Sequence, residues 1–85
     1  MAATKKFLVI AAIGKDRSGL ISEVSEAIVD TGCSITDSRM TVLGTQFALI
    51  FMVGGTWNAI AKLEAMMPAL QKKLGLTLTT QRAEE

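Results

Sequence analysis

Two unbroken apolar runs, Phe7 to Ile13 and Phe47 to Val53, constrain this chain more than any other feature. Short apolar runs bounded by polar and glycine residues read as strands buried at the centre of a sheet. Each is followed by a stretch of helical period. From about Gly19 to Thr31, the residues Leu20, Val24, Ala27, Ile28 and Thr31 recur three or four apart, with Glu23, Glu26 and Asp30 opposite. Ser18 is placed to cap that helix, and Gly32 can close it in a conformation of positive φ. Thr56 is placed to cap a second helix, whose stripe is Ile60, Leu63, Met67, Leu70 and Leu74. Pro68 lies inside the stripe and should kink the helix or split it near Met67, because its ring and missing N–H disturb the preceding turn.

The remaining segments complete the order. The first strand is expected over Lys6 to Ile13 and the second over Cys33 to Leu43. Gly44-Thr45 reads as a tight hairpin turn, and Gln46 to Val53 as a third strand broken by Gly54-Gly55. Gly75 should end the second helix, and Leu76 to Arg82 alternates as a final strand before a polar tail, Ala83-Glu84-Glu85. Strand–helix–strand–strand–helix–strand predicts an α+β chain of ferredoxin-like βαββαβ plan, a four-stranded antiparallel sheet with two helices on one face. Eighty-five residues make one domain, with its core over about 6–82. Crossover handedness puts the first and third strands at the centre and the second and fourth at the edges.

The central strands are apolar on both parities: Leu8 and Ile10 alternate with Phe7 and Val9, and Ile50 and Met52 with Leu49 and Phe51. Whichever set meets the helices, the other forms an apolar patch on the open sheet face. Another sheet face or another chain is expected to cover it.

Composition excludes several classes of function. The net charge is +1, and the basic residues are scattered, with only three Phe and one Trp among them. A nucleic-acid surface needs a basic stripe interleaved with aromatics, so direct nucleic-acid binding is not expected. Histidine is absent and Cys33 is the single cysteine, which removes the usual general base and any zinc constellation. No catalytic residue, metal or cofactor is expected. Lone Cys33 fits a reducing, cytoplasmic setting and reads as a small buried core residue. No apolar run is long enough to span a bilayer, and Lys5-Lys6 before Phe7 to Ile13 lacks a cleavage site, so neither membrane nor leader is expected.

The chemistry concentrates between the first strand and the first helix, in Gly14-Lys15-Asp16-Arg17-Ser18-Gly19-Leu20. Gly14 and Gly19 are spaced as in a phosphate loop, but Leu20 and Ile21 stand where that loop needs Lys and then Ser or Thr. A polar strand-to-helix turn still offers free backbone N–H groups for an anion, with Asp16 available for an ammonium group. A small zwitterion fits that description. Asp16 can equally close an Asx turn before the helix. Asp37 and Arg39 share a strand face and can pair with each other or across to a partner. Charges on an edge strand can also discourage indiscriminate pairing. Trp57 reads as a packing residue and Met66-Met67 as flexible core filling.

The plan and this turn resemble the ACT domain, a small regulatory module that senses amino acids. Asp16-Arg17-Ser18-Gly19-Leu20 is similar to the family's Asp/Asn-Arg-Pro-Gly-aliphatic turn, and Gly32-Cys33-Ser34-Ile35 to its Gly-x-Asn-Ile entry to the second strand. Within the family, Asp37-Ser38-Arg39, Leu43-Gly44, Phe47 and Trp57-Asn58-Ala59-Ile60 resemble, in order, the first ACT domain of the glycine cleavage system transcriptional repressor group. The resemblance runs from about Phe7 to Arg82. It implies a non-enzymatic module whose ligand is a small amino acid such as glycine or serine, held by Gly14, Asp16, Arg17, Ser18, Gly19, Leu20 and Ser34. It also implies an interface through Ser34, Thr36, Asp37 and Arg39 to a second copy or a tandem ACT domain, and regulation through a partner protein. Ser18 replaces the usual proline. Ser34 replaces an asparagine that contacts the amino acid, and a hydroxyl has no separate amide donor and acceptor. The alternative is a purely structural dimerisation module with a vestigial pocket. An acylphosphatase-like enzyme is disfavoured because the one asparagine, Asn58, stands at the start of the second helix. An RNA-recognition module is disfavoured because the central strands lack aromatic and basic residues in the needed pattern.

Overall fold

Alternation and helical period sort the chain into six elements in the computed structural model, which describes residues 6–15 and 19–83. They are β1 (Lys6–Lys15), α1 (Leu20–Asp30), β2 (Ser34–Leu43), β3 (Gln46–Gly55), α2 (Trp57–Leu74) and β4 (Thr77–Ala83). The sheet order is β2-β3-β1-β4, with all three pairings antiparallel. The expected plan therefore holds, with the two continuous apolar strands in the middle. Among the described residues, no helix is long and apolar enough to cross a membrane.

Register decides the core. Leu8, Ile10 and Ala12 of β1 lie level with Val53, Phe51 and Leu49 of β3, and all six are buried. Above them pack Leu20, Val24 and Ile28 from α1 and Ile60, Leu63, Met67, Leu70 and Leu74 from α2, also buried. Full burial of a Leu or Ile side chain is worth about 1.5–3 kcal/mol, so this two-layer contact is the main stabilising term. Cys33 sits in the same core at 4% exposure, as its composition suggested.

Several boundaries differ from the sequence reading, the smallest being β2 starting at Ser34 rather than Cys33 and β4 at Thr77 rather than Leu76. β1 continues through Gly14 and Lys15, because β3 begins at Gln46 directly after the hairpin and supplies Phe47 and Gln46 as their partners. Gly54 and Gly55 do not break β3. They pair with Phe7 and Lys6, and Gly54 also with Ser34. Their missing side chains make room there: a Cβ on Gly54 would lie 3.3 Å from the Phe7 ring, and one on Gly55 3.4 Å from Cys33 Sγ. Ala83 belongs to β4 rather than to the tail, opposite Phe7. Pro68 lies within one continuous α2 instead of splitting it. Its position is exposed while Leu63, Met67, Leu70 and Leu74 are buried on either side, so packing holds the helix together.

The helix ends follow local chemistry. The Thr56 hydroxyl accepts the N–H of Ala59 at 3.2 Å, and Gly75, at φ 69°, closes α2 with its N–H donated to Gln71 O. The Gln71 side chain accepts the Leu78 N–H at 2.8 Å, tying the end of α2 to edge strand β4. Nearer the middle of α2, Arg82 of β4 donates to both carboxylate oxygens of Glu64, at 3.0 and 2.7 Å. The same guanidinium lies 4.3 Å from the centre of the Trp57 ring, and Lys6 Nζ approaches it at 5.2 Å. Trp57 thus packs, as expected, but against cations and still 40% exposed.

Hydrogen bonds from Arg82 hold the Glu64 carboxyl below its ordinary range, against a smaller upward push from burial. A carboxyl lowered on folding stabilises the native state above its unfolded pKa, and that contribution disappears as pH falls through the folded value. Urea titrations across the acid range should therefore show Glu64→Gln losing stability relative to the wild type near neutrality and converging with it at the acid end. A difference that persists unchanged to the acid end would mean that packing, not charge, sets the effect.

Candidate functional site

The turn from β1 into α1 is built around two glycines with different jobs. Gly14 lies in the strand on the helix-facing side, where a Cβ would collide with Leu76 Cδ2. Leu76 is itself buried, so the missing side chain lets the start of β4 close over the end of β1. Gly19 is exposed, has φ 85°, and would meet nothing within 4 Å if it carried a Cβ. It is there for backbone geometry alone, because the left-handed region is costly for an L side chain. Gly19, not Ser18, occupies the N-cap position, and among the described residues no side chain caps the helix. The Glu23 N–H reaches Gly19 O at 3.0 Å, the first bond of the helix. The N–H groups of the first turn then have no intrahelical acceptor, and the positive end of the helix dipole points outward beside them. Leu20, buried in the core, anchors this end. Asp16, Arg17 and Ser18, the other expected ligand contacts, lie outside the described residues.

Ser34 is exposed at the start of β2, opposite Gly54, which in turn pairs with Phe7. Gly14 pairs with Phe47 at the other end of the same sheet. Seven residues of strand separate Phe7 from Gly14, roughly 23 Å at about 3.3 Å per residue. One chain therefore does not bring Ser34 and the β1–α1 turn together. The expected contacts fall into two groups: Gly14, Gly19 and Leu20 at one end, and Ser34 at the other.

The expected interface residues cluster on β2. A bulge between Ile35 and Asp37 leaves Thr36 without a ladder partner, and its hydroxyl donates to Met52 O at 3.0 Å. Asp37 Oδ1 accepts the N–H of the next residue, Ser38, at 2.8 Å, while Oδ2 lies 3.6 Å from Arg39. Both side chains are largely exposed, at 62% and 81%, so the pair contributes at most about 1 kcal/mol. Asp37, Arg39, Val9, Ile50 and Met52 border a depression of about 150 Å³ on the open sheet face. A larger groove, about 420 Å³, runs between the helices and is lined by Glu23, Glu26, Asp30, Met66 and Lys73 among others. It includes none of the residues expected at the site. The bulge and the Trp57–Arg82–Glu64 cluster were not foreseen. The first leaves no trace in an apolar pattern, and the second depends on β4 returning beside the start of α2.

Comparison with known proteins agrees with this architecture. The ACT domain family model matches residues 6–81. The glycine cleavage system transcriptional repressor of Escherichia coli (strain K12) is 35% identical over 80 residues, which cover 94% of this chain and 42% of that protein. A crystal structure provisionally described as a glycine cleavage system transcriptional repressor superposes at a TM-score of 0.92 with 31% identity, over 98% of this chain and 48% of that one. An ACT domain protein from Streptococcus pneumoniae superposes at 0.81 with 28% identity, over 92% of this chain and 90% of that one. The chain thus spans less than half the length of the curated repressors it matches and most of a single-domain relative.

The two glycines of the turn should respond differently to an added methyl group. Gly19→Ala is expected to cost about 1–2 kcal/mol through backbone strain alone. Gly14→Ala should cost about 1–3 kcal/mol by displacing Leu76. In Gly14→Ala, a second change of Leu76→Ala should recover less than additive loss, whereas Gly19→Ala and Leu76→Ala should add. Urea denaturation of the three single and two double variants reads this out.

Proposed function

The chain belongs to the ACT domain family, and from that premise we propose that it is a non-enzymatic regulatory module sensing a small amino acid at the β1–α1 turn. The observation that carries this reading is the start of α1, where Gly19 at positive φ stands at the N-cap and no side chain among the described residues caps the helix. A ligand carboxylate takes the N–H groups of residues 17–20, and its ammonium meets Asp16. Glycine or serine is the ligand class with a side chain small enough to be carried by backbone contacts and one carboxylate. Because the described basic residues form no stripe, influence on glycine cleavage genes passes through a regulatory partner protein rather than through direct contact with nucleic acid. The repressor relative's name supports a role in regulating glycine cleavage and leaves the route through a partner as part of the proposal. Ser34, Thr36, Asp37 and Arg39 belong to the surface that meets a second copy or a tandem ACT domain.

A second reading is favoured by one specific observation, the separation of Ser34 from the turn by the length of the sheet. On that reading the chain is a structural dimerisation module with a vestigial pocket.

Isothermal titration with glycine, serine and the branched-chain amino acids separates the two. The sensing role predicts heat with a small amino acid, and about 1.4 kcal/mol of added stability at ten times its Kd. Asp16→Ala should abolish both while leaving the oligomeric state unchanged. No heat and no shift in Tm at millimolar ligand leaves the interaction role alone.

A further inference from the structure

We propose that the groove between α1 and α2 is a docking site for a basic amphipathic helix of a partner protein. The two helices leave between them a solvent-open hollow of about 420 Å³. Leu70 and Leu74 are buried at its base, and Ala27 and Met66 are half-buried beside them, so the floor is apolar. The rim is charged and one-sided. Glu23, Glu26 and Asp30 stand along α1, and among the described lining residues only Lys73 answers them from α2.

Local chemistry calls for a cationic occupant. No lysine or arginine lies within α1, so no cation of the same helix offsets its carboxylates. Glu23 with Glu26, and Glu26 with Asp30, repeat a like charge at three- and four-residue spacing, which weakens a helix. Asp30 ends α1 at the negative pole of its dipole, where an anion is also unfavourable. The carboxylates of Glu26 and Asp30 have no hydrogen-bond or ion-pair partner among the described residues. The free domain carries a local electrostatic penalty that a positively charged partner removes.

The arrangement of the carboxylates decides what kind of cation fits. Among the described residues, no three acidic side chains converge to hold a metal ion. From Glu23 to Asp30 they are strung along about 10 Å of helix, at about 1.5 Å per residue. A partner matching that span needs several cations in a row beside apolar anchors. A helix supplies both: residues at i, i+3 or i+4 and i+7 cover the floor, and flanking Lys or Arg meet α1. It also seats on two neighbouring helices by ordinary ridge-and-groove packing. A strand laid there would leave its backbone amides unpaired between two helices. A nucleic-acid backbone would be repelled. A second copy fits poorly, because α2, which carries Lys62, Lys72 and Lys73, already commits its apolar stripe to its own core. This inference deepens the regulatory role proposed above, on which it rests for the existence of a partner, and it requires no bound amino acid.

The probe is a fluorescein-labelled peptide of about four helical turns, with leucine at the anchor positions and lysine or arginine on both flanks. Its controls are the same peptide with glutamate for every cation and a shuffled peptide that is not amphipathic. Fluorescence anisotropy with the intact chain should show saturable binding of the first peptide alone, weakening as salt is added. Glu26→Lys and Asp30→Lys should each raise Kd roughly tenfold. Ala69→Trp, at an exposed position in the groove, should block docking. Thr79→Lys combined with Gln81→Lys adds the same charge at exposed positions on β4 and should leave Kd unchanged. Asp30→Lys should at the same time raise the Tm of the free chain, because a cation suits that end of the helix. Circular dichroism confirms that each variant folds. Equal binding of the shuffled or acidic peptide, an equal effect of the β4 pair, or a lowered Tm in Asp30→Lys would overturn the proposal. Glycine titration of the same samples keeps the two readings apart: heat without peptide binding overturns the groove alone, and peptide binding without heat overturns the sensing role alone.

Discussion

The pairing of β1 with β3, from Lys6 opposite Gly55 to Lys15 opposite Gln46, is the constraint from which the rest of the molecule follows. A shift of one residue in either strand would send Leu8, Ile10 and Ala12 to the opposite face and expose the whole core. Because ten residues of each strand are matched, the register also fixes where the chain turns. Gln46 must follow the hairpin at once, and Gly44 at φ 61° provides the tight reversal. At the far end, Gly54 and Gly55 let Phe7 and Cys33 close in where larger residues would hold the layers apart.

Electrostatics plays a different part. The charged groups that make defined contacts lie at the margins of the sheet, where they regulate what can approach. Arg82 joins β4 to α2 through Glu64 and Trp57, and Gln71 occupies an amide on the same strand. On the opposite edge, Asp37 turns back onto Ser38. Each contact is individually weak because water competes for it. Together they give the domain two finished edges and one unfinished face.

Periodicity carried most of the fold. The buried stripe Leu20, Val24, Ile28 and the stripe Ile60, Leu63, Met67, Leu70, Leu74 are readable from spacing alone, because burial on one side of a helix imposes that spacing. The central position of β1 and β3 is readable for the same reason. What escaped depends on partners distant in sequence. Gly54-Gly55 reads as a breaker from local propensity, yet the ladder from β1 and β2 overrides it. Pro68 is tolerated because packing on both sides outweighs one lost bond. For the site, a strand-to-helix connection between Gly14 and Leu20 was legible, while the N-cap moved from Ser18 to Gly19 and the positive φ of Gly19 was not foreseen. That Ser34 lies a sheet's length away could be known only from the antiparallel register.

That separation has a consequence for counting. A pocket drawing one wall from the β1–α1 turn and another from Ser34 is complete only where two polypeptides meet. Its occupancy would then rise with protein concentration as well as with amino acid, steeply when chains are scarce and hardly at all once they are paired. A cell using such a module would read the abundance of a metabolite only above a threshold amount of the sensor itself. Expression level would set the range over which the signal is graded.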